Sequence, residues 1–317
     1  MKAIAVEQFG QQPRLMELPV PEPARGEVLV AIEAASINPM DWKIAEGAMD
    51  GQMPHIFPLI MGFDGAGRVV AAGPGTSRFK IGDRVFGQLW GSEVGKGTFA
   101  QYAALAEEPA TGAMQRIPEG ISMRDAAALP TAGMTAMGVL EPAGCTPGQT
   151  LLIIGATGGV GSLVTQLAAA AGIHVIATAR DDARARIVSF GASETINHAE
   201  EEVTDALTRN HPDGIDAVLD LAGDQQLCTD VAQHVRDGGA IVSTAFALSD
   251  ELLGQSRIKA TNFWLDQRPV MLDRISREVA AGRLIMDVED ELDLSETPAA
   301  IARKKAGGAR GKTVIRI

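Results

Sequence analysis

The sequence predicts an α/β protein with two parts, one mainly β and one built on a doubly wound parallel sheet. Three observations support this fold class. Leu151 to Ile154 form an apolar run without alternation, as a parallel strand covered on both faces requires. The motif GATGGVG follows at residues 155–161 and leads into a small-residue helix pattern at Val160–Ala171. Residues 62–85 are dense in glycine, which suits the bulges and tight corners of a small, strongly bent barrel.

A strand, a glycine turn and a helix in this order indicate a dinucleotide-binding site. The turn must bring backbone N–H groups against a pyrophosphate, no Cβ may block that approach, and the helix N-terminus supplies positive potential. Close packing against an alanine-rich helix would also explain three glycines. A second apolar strand at His174–Thr178, followed by more helix and strand patterns up to Val242, favours the cofactor interpretation. The residues assigned to the turn are Gly155, Thr157, Gly158, Gly159, Val160 and Gly161.

The other elements are predicted from turn residues and apolar patterns. The strand candidates of the mainly β part are Lys2–Val6, Glu27–Ala34, Gly67–Ala71, Arg84–Phe86 and Phe99–Ala103. Beyond the fifth parallel strand at Ala240–Val242, we expect a helix at Arg268–Ala281, a solvated acidic loop at Asp287–Asp293, a helix at Ser295–Lys304 capped by Ser295, and a strand at Thr313–Ile317.

The composition limits the classes of function. A formal net charge of −12 over 317 residues argues against a broad phosphate-binding surface, so no nucleic-acid partner is expected. Cys145 and Cys228 are the only cysteines, which excludes a disulfide framework and a zinc ribbon. The first residues lack the apolar core of a signal peptide, and no run of eighteen apolar residues occurs. We therefore expect a cytoplasmic protein without a membrane partner.

Seven motifs along the chain resemble those of the medium-chain dehydrogenase/reductase superfamily, and within it the zinc-independent, zeta-crystallin-like NADPH:quinone oxidoreductase branch. They are SINPMDWKIAEG at 36–47, GFDGAGRVVAAGPG at 62–75, IGDRVFG at 81–87, GTFAQYAAL at 97–105, ALPTAGMTA at 128–136, GATGGVG at 155–161 and GGARGKTVIRI at 307–317. The resemblance implies a GroES-like β-barrel catalytic domain over residues 1–118 and 261–317, and a Rossmann NADP-binding domain over 119–260. It also implies an active site in the cleft between the domains and a homodimer.

The residues at the family's zinc positions predict no metal. Zinc-dependent members of the superfamily use a cysteine in the early loop and Gly-His-Glu at the second motif, where this chain has Asn38 and Gly62-Phe63-Asp64. An amide and a phenyl ring cannot replace the thiolate and imidazole that zinc prefers. His55 beside Pro54 is more typical of a surface or packing residue than of a ligand. Without a Lewis acid to polarise an alcohol oxygen, we expect reduction of an electron-poor acceptor.

The end of the second parallel strand predicts the choice of nicotinamide cofactor. An acidic residue there would bind the ribose hydroxyls, but this chain has Arg180, followed one turn later by Arg184. Their guanidinium groups suit a 2′-phosphate, so we expect NADPH. Alternatively, both arginines are simply solvated residues at the start of a helix. In a shifted register, Asp181 or Asp182 would take the position of the acidic residue at the strand end, which would favour NADH.

Further cofactor contacts come from the resemblance and from the carboxyl edge of the predicted sheet. The resemblance implies Thr135 near the nicotinamide, although a helix residue bonded to its own backbone is an alternative. It also implies Asn262, Arg310 and His198, which replaces a tyrosine common in relatives. The edge residues are Gly223, Ser243 and Thr244, the last two being equally consistent with a capping turn.

The substrate side is predicted from the early loop. The resemblance implies that Asn38, Asp41 and Trp42 face the nicotinamide, with Trp42 as a flat surface against a ring. A carboxylate that only holds the loop is an equal alternative for Asp41. Tyr102, the only tyrosine, belongs to a strand motif, so a strong general acid is missing. A quinone needs less help, because water can protonate its reduced oxygens.

The sequence therefore predicts hydride transfer from NADPH to a quinone or similar activated carbonyl acceptor, a small-molecule partner. Two alternatives stay open. One is an NADPH-dependent reductase of enones and enals. The other is a catalytically weak, crystallin-like protein that binds the cofactor or nucleic acid.

Overall fold

The computed structural model describes residues 1–89, 93–109, 111–307 and 310–317, which divide into two units. Unit 1 comprises Met1–Met134 and Gln267–Ile317, whereas unit 2 is the continuous stretch Thr135–Asp266. The domain limits expected near residues 118 and 260 remain a prediction. The last motif of the resemblance includes residues 308 and 309, which lie outside the described residues.

The strands are numbered in chain order. They are β1 (Lys2–Val6), β2 (Arg14–Glu17), β3 (Glu27–Ser36), β4 (His55–Ile60), β5 (Asp64–Ala72), β6 (Arg84–Gln88), β7 (Val94–Lys96), β8 (Tyr102–Ala106), β9 (Ala113–Arg116), β10 (Thr150–Ile154), β11 (His174–Thr178), β12 (Glu194–Ile196), β13 (Ile215–Asp220), β14 (Val235–Ser243), β15 (Lys259–Asn262), β16 (Val288–Asp293) and β17 (Lys312–Arg316).

The α-helices are numbered in the same way. They are α1 (Pro39–Ala45), α2 (Met123–Ala128), α3 (Pro130–Ala143), α4 (Gly159–Ala170), α5 (Asp181–Ser189), α6 (Val203–Asn210), α7 (Gln225–Ala232), α8 (Asp250–Gly254), α9 (Pro269–Ala280) and α10 (Thr297–Lys305), with a short 3₁₀ turn at Leu294–Glu296. Among the described helices, none has both the length and the apolar character needed to cross a membrane.

Unit 1 is built from two sheets of mainly antiparallel strands. Seven strands form the larger sheet in the order β16-β17-β3-β5-β6-β9, with β8 also paired with β3. The smaller sheet has the order β2-β1-β4-β7. Strand β3 is central, because it pairs with β5, β8 and β17 and buries Val28 and Val30 completely. Strand β17 therefore attaches the last residues of the chain to one of its first strands.

Unit 2 is a six-stranded parallel sheet in the order β12-β11-β10-β13-β14-β15. The chain runs outward from β10 through β11 to β12, returns to β13 beside β10, and continues outward in the other direction. The strand order thus reverses at β10 and β13, which is where sheets of this kind bind ligands. Leu151, Leu152 and Ile153 have no exposed surface, as expected for a strand covered on both faces. The predicted doubly wound parallel sheet is confirmed.

Two local predictions for the C-terminal part of the chain are wrong. The acidic segment Asp287–Asp293 is mostly strand β16, which pairs in parallel with β17. It is the edge strand of its sheet and buries little besides Leu292, so its acidic residues resemble a loop in sequence. Ser295 lies inside the 3₁₀ turn and caps no helix, because the carboxylate of Glu296 accepts the Asp293 N–H instead at 2.9 Å.

The strand predicted at Phe99–Ala103 begins instead at Tyr102. Phe99 and Ala100 pair with β1: the Ile4 N–H donates to the Phe99 carbonyl at 2.8 Å, and Ala100 forms an isolated bridge with Ala3. Both residues are completely buried, which explains why an apolar pattern alone extended the strand too early. The segment after Asn38, expected to be a loop, forms helix α1 with Pro39 at its first position.

Candidate cofactor and active sites

The carboxyl edge of the unit 2 sheet brings several predicted residues into one row. The parallel register aligns Ile154 with Asp220, Asp220 with Ser243, and Ser243 with Asn262. Each of these residues ends its strand, so the loops that follow all leave from the same edge. Gly155, Gly223 and Thr244 begin three of those loops or lie within them.

The glycine turn connects β10 to α4. Gly155 has φ +83°, a conformation that favours glycine, and its N–H donates to Thr178 Oγ1 at 3.0 Å. The Gly158 N–H donates to the Gly155 carbonyl at 3.2 Å, and Gly158 is the N-cap of α4. The turn is therefore held by its own backbone and by one side chain of the neighbouring strand β11.

Two glycines of this motif differ in what surrounds them. A Cβ on Gly161 would lie 2.3 Å from the Gly155 carbonyl oxygen and 2.6 Å from Ala156 Cα, so internal packing alone requires glycine there. A Cβ on Gly158 would lie 3.5 Å from the same carbonyl oxygen, which is ordinary contact. Packing within the chain does not explain the glycine at 158. Thr157, Gly159 and Val160 are half-buried around it.

Asp220 organises the loops of the edge. Its carboxylate is completely buried and accepts hydrogen bonds from Ser243 Oγ at 2.6 Å and from the N–H groups of Ala222 and Gly223 at 3.0 and 2.9 Å. Thr244 donates its N–H to the Asp220 carbonyl at 3.0 Å. Ser243 and Thr244 are thus used to shape the loop, in agreement with the turn-holding alternative.

Asn262 has the same kind of role further along the edge. Its Oδ1 accepts the Leu248 N–H at 3.2 Å, and its Nδ2 donates to the Leu248 carbonyl at 3.4 Å. Gly223, with φ +90°, is exposed beside this network. The side chains of Ser243 and Asn262 therefore position backbone rather than extend freely from the edge.

The two predicted phosphate-binding arginines lie just beyond β11. Arg180 is the N-cap of α5 and Arg184 lies one turn later, and both are exposed. Neither guanidinium makes a hydrogen bond or ion pair with another residue in the described part of the chain. His198 is exposed in the turn after β12, so it belongs to the same carboxyl edge.

Thr135 and Arg310 lie away from the glycine turn in sequence. Thr135 is buried on α3, and its hydroxyl makes no hydrogen bond to any residue that the structure describes. The alternative that the Thr135 hydroxyl bonds the backbone of its own helix is therefore not supported. Arg310 belongs to unit 1, where its N–H donates to the Glu289 carboxylate at 3.2 Å.

A buried polar cluster in unit 1 contains two of the predicted substrate-side residues. Asn38 Nδ2 donates to Asp64 Oδ2 at 3.0 Å, and Lys312 Nζ donates to Asn38 Oδ1 at 2.7 Å. The Thr131 hydroxyl donates to Asp64 Oδ1 at 2.7 Å. Asp41 accepts the Asn38 N–H at 2.6 Å, which holds the first turn of α1. These five residues are called the polar cluster below.

Charge balance indicates that one carboxyl group of the polar cluster holds a proton, and the hydrogen bonds indicate which one. Two carboxylates and one ammonium group, all buried, would carry a net negative charge if all were ionised, and burial disfavours that state. Burial raises the pKa of Asp41 to about 8 and also raises the pKa of Asp64, while it lowers the pKa of Lys312. Asp64 accepts more hydrogen bonds than Asp41 and lies 3.8 Å from Lys312 Nζ. We therefore assign the proton to Asp41 at neutral pH and an ion pair to Asp64 and Lys312.

The same geometry bears on the roles predicted for the early segment. Asn38 and Asp41 are almost fully buried, and both are occupied within the polar cluster. For Asp41 this favours the alternative of a carboxylate that holds the local backbone. Trp42 is half-buried and packs against an apolar core that includes Ile44 and Phe99.

The polar cluster does not offer a zinc site. The Asn38 amide is bonded to Asp64 and Lys312, and the neighbouring position is occupied by the buried ring of Phe63. The ammonium group of Lys312 already supplies the positive charge beside the Asp64 carboxylate. No thiolate or imidazole is available among these residues, so they do not fit the ligand set that zinc requires.

Several residues of both sites were not predicted from the sequence. Thr178, Asp220, Asp64, Thr131 and Lys312 make the decisive hydrogen bonds, yet none belonged to the predicted site. A buried-strand pattern that ends in a polar residue was the available signal for Thr178 and Asp220. Lys312 had no local signal, because its partner Asn38 lies 274 residues away in the chain.

Comparison with known proteins identifies the family. Residues 24–115 match the model of the alcohol dehydrogenase GroES-like domain, and residues 159–294 match the model named zinc-binding dehydrogenase. Together these matches cover most of the chain. The protein therefore belongs to the medium-chain dehydrogenase/reductase superfamily.

Similar proteins place the chain within that superfamily. It is 30% identical over 312 residues to a chloroplast envelope quinone oxidoreductase homolog of Arabidopsis thaliana, covering 95% of this chain and 92% of the relative. A 2-methylene-furan-3-one reductase of Solanum lycopersicum is 30% identical over 93% of this chain and 73% of its own length. The quinone oxidoreductase structure of Coxiella burnetii has a TM-score of 0.88 and 28% identity, with 100% of this chain and 99% of that chain covered. The chain belongs to the quinone oxidoreductase branch, a group of oxidoreductases that use a nicotinamide cofactor.

Proposed function

We propose that this protein transfers a hydride from NADPH to a quinone or similar activated carbonyl acceptor, without zinc. One observation carries the cofactor part of the proposal: Gly158 has no packing reason to be glycine, and Arg180 and Arg184, whose guanidinium groups have no partner among the described residues, lie beyond the next strand on the same edge. An anionic ligand accounts for both features at once.

The residues of unit 2 fit a dinucleotide. The first N–H groups of α4, from Gly159 to Gly161, have no partner within their own helix and suit a pyrophosphate. Arg180 and Arg184 suit a 2′-phosphate, with His198 beside the adenosine end. Gly155, Thr157 and Val160 shape the turn, while Gly223, Thr244, Ser243 and Asn262 shape the loops that would border the nicotinamide end. Thr135 and Arg310 complete the proposed set.

The chemistry of the bound cofactor is hydride donation from its reduced nicotinamide ring. The task of the protein is to bind, orient and exclude water. On the substrate side, Asn38 and Asp41 are proposed to fix the position of α1, and thereby of Trp42, whose indole would face a flat acceptor. A reaction without zinc is supported by the residues at the family's zinc positions. The Asn38 amide and the Phe63 ring cannot replace the thiolate and the imidazole that bind zinc.

The choice of a quinone rests on the chain's poor supply of proton donors. Tyr102 lies in strand β8, and the early segment carries no tyrosine. A reduced quinone oxygen is a stable anion that water protonates, so an acceptor of this class needs no built-in acid.

A reductase of activated alkenes is the second candidate. It is favoured by the similarity to the tomato 2-methylene-furan-3-one reductase, which covers 93% of this chain. A crystallin-like binding protein is the third, and the acidic net charge of −12 weighs against nucleic acid as its ligand. A homodimer and a cytoplasmic location remain predictions.

The test is the loss of NADPH absorbance in chelator-treated buffer against a panel of quinones, enones and aldehydes, with NADH in parallel. We expect rapid, NADPH-selective turnover with quinones. Turnover with enones but not with quinones would favour the alkene reductase. NADPH binding without turnover on any acceptor would contradict both enzymatic proposals and leave the binding protein.

A further inference from the structure

Three side chains that bind transition metals meet at the amino end of the unit 2 sheet. His174 is the first residue of β11, Glu194 is the first residue of β12, and His211 directly follows α6. His174 Nε2 lies 2.6 Å from Glu194 Oε1, and His211 Nε2 lies 3.2 Å from Glu194 Oε2. Within the described residues, one ligand atom from each of the three lies within 4.8 Å of the other two.

The sheet register explains why these residues meet. Glu194 pairs with Ile176, so His174, two residues earlier, projects from the same face of the neighbouring strand. Helix α6 then returns the chain to this end of the sheet, where the His211 N–H still bonds the Leu207 carbonyl at 2.7 Å and ends the helix. Three consecutive elements thus each contribute one ligand from a well-defined position.

We propose that His174, Glu194 and His211 form a binding site for a divalent transition metal, with Zn²⁺ as the ion that suits it best. Two imidazole nitrogens and one carboxylate oxygen are a ligand set that zinc accepts, with metal–ligand distances of about 2.0–2.2 Å. Water would occupy the fourth position, because 40% of the His174 side chain and 32% of the Glu194 side chain are exposed. The mixed nitrogen and oxygen donors disfavour Mg²⁺ and Ca²⁺, which prefer oxygen alone.

A pair of hydrogen bonds from two histidines to one glutamate is the competing interpretation. It leaves both Nε2 atoms protonated and binds no metal. The arrangement differs from a simple pair in that both imidazoles direct the same nitrogen at opposite oxygens of one carboxylate. A bound ion would take the lone pair of each Nε2 atom, so the proton of each neutral imidazole would move to Nδ1, and the ion would link β11, β12 and the residue that follows α6.

The proposed metal site is separate from the cofactor turn. It lies at the amino end of the strands, whereas the glycine turn and Arg180 follow their carboxyl ends. The metal inference therefore does not depend on the proposed function. It also differs from the sequence prediction of no metal, which concerned the family's zinc positions and contiguous motifs. The three ligands lie 20 and 17 residues apart and form no such motif.

The experiment is isothermal titration calorimetry of the cofactor-free protein with ZnCl₂. The protein is first treated with a chelator, which is then removed. We expect one Zn²⁺ per chain, no heat with MgCl₂, and a rise of the thermal midpoint with Zn²⁺. Replacing a single ligand, as in His174→Gln, Glu194→Gln or His211→Gln, should weaken Zn²⁺ binding by at least about tenfold. His198→Gln removes an exposed histidine of the same unit and should leave the zinc affinity unchanged.

A second measurement keeps the test independent of the variants. Co²⁺ bound to the wild-type protein should give visible absorption bands stronger than those of Co²⁺ in buffer, and one equivalent of Zn²⁺ should abolish this increase. The proposal is overturned if the wild-type protein binds no Zn²⁺, or if the three ligand variants bind it as tightly as the wild type. Equal loss of affinity in His198→Gln would also overturn it.

Discussion

The polar cluster of unit 1 and the glycine turn of unit 2 use polar groups in opposite ways. In the cluster, Asp64, Asn38 and Lys312 are buried and satisfy one another. At the turn, the first N–H groups of α4 and the Arg180 guanidinium have no protein partner among the described residues. Polar groups that are hydrogen-bonded within the chain stabilise the fold, whereas polar groups without a protein partner are available to bind a ligand. Four predictions test this distinction.

Removal of the central carboxylate should have the largest effect. Asp64→Ala leaves Lys312 as a buried charge without its counter-ion and leaves the Thr131 hydroxyl without its acceptor. We expect the free energy of unfolding to fall by about 4 kcal/mol, measured by urea denaturation. Asp273→Ala breaks an exposed ion pair with Arg277, at 3.0 Å, and should cost less than about 1 kcal/mol. Similar losses in the two variants would contradict the assignment of the cluster to stability.

The two glycines of the turn provide the next test. In Gly161→Ala the new Cβ would collide with the Gly155 carbonyl, so we expect a loss of about 3 kcal/mol in the free energy of unfolding. Gly158→Ala meets only ordinary contacts, and the exchange of a favoured N-cap residue for alanine should lower that free energy by no more than about 1 kcal/mol. Its affinity for NADPH, measured by fluorescence titration, should nevertheless fall by at least about tenfold because the Cβ blocks the approach of the pyrophosphate. Unchanged NADPH affinity in Gly158→Ala would remove the main support for the cofactor site.

The pH dependence of stability tests the proton on Asp41. Its pKa of about 8 in the folded protein exceeds the value of 3.8 for an ordinary aspartate, so the folded state binds more protons than the unfolded state between these values. Stability from this group is complete below pH 3.8 and is lost as the pH rises through about 8. Asp41→Asn should remove this loss, which we expect to be about 2 kcal/mol between pH 6 and pH 8. If the free energy of unfolding of the wild type and of Asp41→Asn changed with pH in the same way, the assignment of the proton to Asp41 would be wrong.

The smallest expected effect concerns the choice of cofactor. Arg180→Ala removes a guanidinium that would pair with the 2′-phosphate, so NADPH affinity should fall by about tenfold, or about 1.4 kcal/mol, while NADH affinity stays nearly constant. Arg303→Ala, on the exposed surface of α10, removes the same charge elsewhere and serves as the control. An equal loss for both cofactors in Arg180→Ala would favour the NADH register that Asp181 and Asp182 leave open.

The sequence predicted the parallel sheet well because its signals are local. Strand β11 agrees residue for residue, and α4 differs from the prediction by one residue at each end. The glycine turn was found from spacing alone. The polar cluster was not found, because it depends on pairings between β3, β5 and β17, and no local pattern reports which distant residues will meet. For the same reason the group of His174, Glu194 and His211 became visible only after the register of β11 and β12 was known.

The position of Lys312 near the end of the chain has a consequence for biosynthesis. Unit 2 is continuous from Thr135 to Asp266 and can fold as soon as it leaves the ribosome, since domains generally fold as units. Unit 1 begins earlier but lacks β17 and the ammonium group of Lys312 until that strand has been translated. Until then the Asp64 carboxylate has no counter-charge to be buried with. Unit 1, whose first residues are synthesised before those of unit 2, therefore completes its fold after unit 2.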